Sequence, residues 1–195
     1  MSILLDAGPS LNFLAVGQQN VLVQLAASRD LQLAAPDRVD REVRGKANAE
    51  RFRRTGALGS WQKMTAAGRI EILDDTLADR PVFTSAVTRI SGMPAAERVR
   101  TGASLGEIMV LAHASAYAQD GHEVYVLIDE RDGRDRARKE MRWLHDQASA
   151  GSLTLWSTPQ VLKSAAGEPG WIENSLTWEQ VYDQMRRFDD GLPPR

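Results

Sequence analysis

The chain has no cysteine. That excludes disulfides, thiolate zinc sites and thiol nucleophiles together, and it accords with a reducing compartment. Histidine is nearly as scarce. His113, His122 and His145 have neither HExxH nor any other metal-ligand spacing, so surface or satisfied helix positions are the simpler reading. No apolar run approaches the ~20 residues that cross a bilayer. The N-terminus reaches Asp6 with no basic leader and no small-residue cleavage site, so a cytoplasmic protein without membrane contact is expected. Charge of one sign is missing too: 24 Lys and Arg stand against 26 Asp and Glu, a formal net charge of −2. A polyanion would have to meet a local basic patch. No GxxxxGK(S/T) phosphate loop, GxGxxG turn or GxSxG elbow occurs. "IDERDG" fails as a calcium loop, because aligning it on Gly133 puts Ile128 at the first ligand position and Lys139 at the twelfth.

What is present is a globular chain of 195 residues, 43% hydrophobic and 26% charged, large enough for one domain with a real core. Short apolar runs read as strands at 3–8, 31–36, 69–73, 123–129 and 153–157. Between them lie helical patterns: 10–27, in one piece or broken at Gly17; a charged helix over 37–54; a helix opening near Pro81; 104–121; and 132 to about 149. Shorter helices are expected after Thr158 and over 175–188. Residues 1–187 are expected to form one domain, and 188–195 a disordered tail. Alternating strands and helices imply a mainly parallel sheet covered on both faces, a three-layer α/β/α sandwich. Ligands in such folds bind outside the carboxyl ends of the strands, where strand order reverses.

The acids fall at that edge. Asp6 ends the first strand and Asp129 the fourth, Glu42 and Glu107 lie in the first turns of helices, and Asp132 opens the helix after Asp129. Each has a structural reading as well. Asp6 suits a helix cap, Glu42 a pair with Lys46, Ser104–Glu107 a capping box, and Asp132 an N-cap. Convergence changes the balance. Two carboxylates about 4 Å apart repel by roughly 4 kcal/mol at an effective dielectric near 20. Several at one edge need protonation, separation or a hard cation, and oxygen-only donors point to Mg²⁺ or Mn²⁺.

The pattern resembles the PIN-domain (PilT N-terminus) family of metal-dependent ribonucleases, which includes the VapC-type toxins. The matching segments are "LLDAGPSLNFLA" at the start, Glu42 in "VDREVRGK", Glu107 in "LGEIMVLAHA" and "VLIDERDGR" at 126–134, spread over about the first two-thirds of the chain. The resemblance implies an acidic Mg²⁺ or Mn²⁺ pocket cleaving single-stranded RNA. Carried over by position, Asp6, Glu42, Glu107 and Asp129 are the catalytic set. Asp6, Glu107 and Asp129, with Asp132 as a further acid, are the metal ligands. Ser10, Asn12 and Arg134 are supporting or substrate-binding residues. Two departures stand out. The family's frequent Asp-Thr/Ser-Asn opening is here Asp6-Ala7-Gly8, and the third acid is Glu107 where many relatives have Asp. A homodimer and a small antitoxin partner are further implications.

An acidic pocket needs a basic approach. Arg38, Arg41, Arg44 and Lys46 ride the helix of Glu42, and Arg131, Arg134, Arg136, Arg138 and Lys139 follow Asp129. Most of them also have acidic partners at (i, i+4), which reads as a solvated helix face. Two other functions stay open: a PIN-like module that binds RNA or a partner without cutting, and a Mg²⁺-dependent phosphotransfer domain with an aspartyl nucleophile.

Overall fold

The structure is a computed structural model and describes residues 1–102, 104–189 and 192. Five strands form one all-parallel sheet: β1 (Ser2–Leu5), β2 (Gln32–Pro36), β3 (Ile70–Leu73), β4 (Glu123–Leu127) and β5 (Ser152–Trp156), in the order β3-β2-β1-β4-β5. Helices cover both faces, giving the α/β/α sandwich expected from the alternation of elements. α1 (Ala7–Ala15) and α2 (Gln19–Ser28) follow β1, with a break at Gly17, whose φ of 70° favours glycine. α3 (Asp37–Ala47), α4 (Glu50–Arg53) and α5 (Ala57–Ala66) join β2 to β3. α6 (Pro81–Ser91), α7 (Ala95–Thr101) and α8 (Leu105–Gln119) lead to β4, and α9 (Arg131–Asp146) to β5. α10 (Thr158–Ala166) and α11 (Trp178–Met185) close the chain.

The sheet centre is apolar because both of its faces are covered: Ile3, Leu4, Leu5, Val124, Val126 and Leu127 are all at most 1% exposed. α8 is buried nearly all round, lying against the sheet with α6, α7 and α9 beside it. Its outer side forms a smaller apolar cluster with Phe83, Val87 and Ala95. The helix read over 37–54 is two helices. The expected Glu42–Lys46 pair forms, with Asp37–Arg41 and Asp40–Arg44 beside it at the same (i, i+4) spacing. α5, α7 and a 3-10 turn at Glu173–Ser175 had not been read from the sequence.

Of the expected tail 188–195, three residues are described: Phe188 stacks on Phe52 with ring centroids 5.7 Å apart, Asp189 accepts a hydrogen bond from Asn12, and Leu192 is buried in the core. Residues 190, 191 and 193–195 lie outside the described residues. Among the described residues, no helix is long and apolar enough to cross a membrane.

Candidate acidic site at the carboxyl edge

Strand order reverses between β1 and β4: the chain moves outward from β1 through β2 to β3, then returns to the other side of β1. The crevice expected at such a reversal therefore lies where β1 and β4 end. Asp6 follows β1 directly and Asp129 lies just beyond β4, and the Asp6 N–H donates to the Leu127 carbonyl at 3.3 Å.

Around Asp6 the structure brings three predicted acids together. Asp6 is 9% exposed and caps the backbone start of α1. Burial, then repulsion from Glu42 and Glu107, pushes its carboxyl up to about 7 against the pull of the Ala7 N–H. Glu42 is half-buried and pairs through Oε1 with Lys46 Nζ at 2.5 Å. Its other oxygen lies over Gly106 on α8, so closely that a Cβ there would stand 2.6 Å from it. Glu107 is 6% exposed and paired with Arg136. Burial raises its carboxyl, Arg136 opposes the rise, and Glu130 and Asp132 add to it. Gly133 leaves the room that the Glu107 carboxylate occupies; a Cβ at 133 would overlap it and also meet Ile128 Cγ2 at 2.8 Å.

The capping box expected of Ser104 and Glu107 does not form. Ser104 is left-handed, with φ 49°, and makes no side-chain cap; Glu107 has turned to Arg136. Asp132 is no cap either, since Glu130 holds that position, and it stands exposed in the first turn of α9 near Glu107.

Asp129 is oriented differently from the trio. It is 4% exposed, and both of its oxygens are engaged by Thr158 at the start of α10: the N–H donates to Oδ1 at 2.8 Å and the hydroxyl to Oδ2 at 2.5 Å. Burial still raises its carboxyl to about 6 despite those bonds, and Asp189 pushes the same way. Asp189 was missed in the sequence. A Cβ at Gly8 would lie 3.8 Å from Asp6 Oδ2 and 3.9 Å from Asp189 Oδ2, so this acid flanks the same glycine as Asp6.

The supporting residues divide. Ser10 Oγ donates to the Asp6 backbone carbonyl at 2.7 Å, an internal bond of α1 with no role at the carboxylates. Asn12 is wholly buried and donates to Asp189 Oδ2 at 2.8 Å, while its own Oδ1 has no partner among the described residues. Arg134 acts on Asp129 only as a nearby charge. The cations in direct contact are Lys46 and Arg136. A signal for Arg136 did exist: Gly133, Ala137, Glu140 and Leu144 are the buried face of α9, and Arg136 lies three residues from Gly133 on its flank. His113 is buried, with Nε2 2.9 Å from Asp75 Oδ1 and its ring 4.4 Å from that of Phe83, a satisfied helix position.

Among the described residues, no three His, Asp or Glu side chains stand as a ready-made metal cage. The carboxylates share an edge but are each drawn to a partner: Glu42 to Lys46, Glu107 to Arg136, Asp129 to Thr158. No family model, curated protein or solved structure matches this chain.

Proposed function

We propose that this chain is a divalent-cation-dependent ribonuclease of the PIN-domain kind, hydrolysing phosphodiester bonds of RNA. One observation carries the reading: Asp6, buried where strand order reverses, is held near 7 by burial and by Glu42 and Glu107, a costly arrangement that stabilises nothing in the fold by itself. The donor chemistry fits a hard cation, because the groups on offer are carboxylate oxygens with no thiolate or available imidazole. Asp6 and Glu107 would hold it, with Asp129, Glu42 and Asp132 at the margin. A bound Mg²⁺ or Mn²⁺ supplies Lewis acidity, polarising phosphoryl oxygens and acidifying water.

The protein's own groups do the rest. Lys46 and Arg136 already lie against Glu42 and Glu107, and both have N–H donors for the phosphoryl oxygens of a backbone. Arg131, Arg138 and Lys139 are exposed along α9 and make the approach basic, so binding should weaken as salt rises. Gly106 and Gly133 keep the backbone clear of the two glutamates. A small antitoxin presenting a basic side chain to the acidic edge, a homodimer and a cytoplasmic setting complete this reading.

A second reading is favoured by the ion pairs themselves. If Lys46, Arg136 and Thr158 keep the carboxylates, the chain is a PIN-like module that binds RNA or a partner without cutting. Asp129 is a poor candidate for an aspartyl nucleophile, since both of its oxygens accept from Thr158. Cleavage of single-stranded RNA in Mg²⁺ or Mn²⁺, lost in EDTA and lost in Asp6→Ala or Asp129→Ala with the fold retained, supports the ribonuclease. Full activity in EDTA refutes it, and RNA binding without cleavage in any cation selects the second reading.

A further inference from the structure

One helical turn before Glu42, a cavity of about 260 Å³ opens beside the acidic edge, between the start of α3, the end of β3 and the start of α8. It is smaller than the ~300–1,000 Å³ typical of drug-sized ligand sites, which suits one ring system. Its apolar lining is Val99, 37% exposed, with Leu105 and Met109, 4% and 1% exposed, and Leu105 adjoins Gly106, over which Glu42 lies. Its rim is charged, and the bonding there is informative. Arg41 is paired with Asp37, and Arg38 gives a guanidinium N–H to the Gly102 carbonyl at 3.2 Å. Asp75 is satisfied by His113 and by the Arg38 N–H at 2.7 Å.

What the rim leaves over is acceptors. Thr76 donates to Asp74 Oδ1 from its N–H at 3.0 Å and its hydroxyl at 2.7 Å, which fixes the carboxylate and leaves Oδ2 without a donor among the described residues. Asp37 Oδ1 is likewise without one. Three aspartates face Arg38 and Arg41, both committed, and Arg80 is drawn to the Asp74 carbonyl and His113, so no guanidinium is left over for a phosphate. The ligand that fits has a flat apolar face and N–H donors at its edge.

We propose that this cavity is a nucleobase subsite, taking a base with an exocyclic amino group that donates to Asp74 while the ring lies on Val99 and Leu105. The ligand class rests on the RNA-cleaving reading above, and single-stranded RNA is recognised through unstacked bases seated in this manner. Uridine, with a carbonyl oxygen where cytidine has the amine, meets a carboxylate with an acceptor and is disfavoured.

The matched pair makes the test. Short fluorescent oligocytidylate and oligouridylate are titrated in Mg²⁺ with the full chain carrying Asp6→Asn, so that neither is cut, and anisotropy reads the affinity. Cytidine should be preferred by on the order of tenfold, the scale of one hydrogen bond to a charged group. Adding Asp74→Asn, whose one oxygen stays with the Thr76 donors and whose NH₂ then faces the base and suits the uridine carbonyl, should erase or reverse the preference for cytidine. Equal affinity for the two oligonucleotides, which is also what a basic side chain from a protein partner as the true occupant predicts, overturns the subsite. So does a preference that survives Asp74→Asn. Cleavage by the unsubstituted chain is measured alongside. Cutting with no preference between the bases sinks the subsite and keeps the ribonuclease; preference with no cutting in any cation does the reverse.

Discussion

Replacing Asp6 with asparagine should stabilise this fold above neutral pH while removing the proposed RNA cleavage. The Asp6 carboxyl stands at about 7 in the folded chain against an ordinary 3.8. The folded state therefore binds this proton more tightly than the unfolded state. Its contribution is fully present below the unfolded value and is lost as pH rises through the folded one. A shift of about three units is worth about 4 kcal/mol, a large share of the ~5–15 kcal/mol by which domains are stable. Asparagine keeps an oxygen for the Ala7 N–H and has no charge to desolvate. Urea unfolding in EDTA should show the unsubstituted chain losing about 4 kcal/mol relative to Asp6→Asn between roughly pH 4 and pH 8. Saturating Mg²⁺ or Mn²⁺ should return part of it at the upper pH, about 2.7 kcal/mol at a hundred times the dissociation constant, in the unsubstituted chain alone. Parallel stability profiles for the two proteins across that range would refute the reasoning, since Asp6 would then titrate as an ordinary solvated acid.

Three further perturbations follow from individual contacts. Arg136→Ala should tighten Mn²⁺ binding in a calorimetric titration, because Glu107 no longer shares its oxygens with a guanidinium. Gly133→Ala should abolish the proposed RNA cleavage and lower stability by about 1–3 kcal/mol in urea, since the new methyl meets the Glu107 carboxylate and Ile128, both of them buried. Arg89→Ala strands Glu140, which is 3% exposed and bonded to Arg89 at 2.5 and 3.1 Å and to Ser115 at 2.6 Å. That should cost about 3–5 kcal/mol in the same measurement, and Arg89→Met with Glu140→Leu should recover most of it.

The frame of this protein was legible because it depends on local pattern. Apolar runs of five to seven residues bounded by turns gave the strands, 3.6-residue periodicity gave the long helices, and their alternation left a parallel sheet as the way to bury them. From that, the strand-end rule assigned Asp6, Glu42 and Glu107 to one edge without any knowledge of a contact. Helix spacing likewise gave the Glu42–Lys46 pair. The helix over 57–66 escaped although Ala57, Trp61 and Met64 form a buried stripe at i, i+4 and i+7, because alanine, glycine, serine and threonine around them dilute the signal; the helix over 95–101 buries Ala95 alone and has no stripe to read.

Partner choice between elements was decided only by the fold. Asp129 meets Thr158 because β5 pairs with β4 and delivers the start of α10 beside it, a register that nothing within either segment encodes. Arg136 reaches Glu107 and Arg134 does not, since residues two apart on a helix face nearly opposite ways and the phase of α9 is set by burying Ala137 and Leu144. Asn12 and Asp189 meet across 177 positions once Leu192 has been drawn into the core. Sequence alone set which groups reach the carboxyl edge. Which charge lies against which depends on distances of a few ångströms between elements, and only the packed core fixes those.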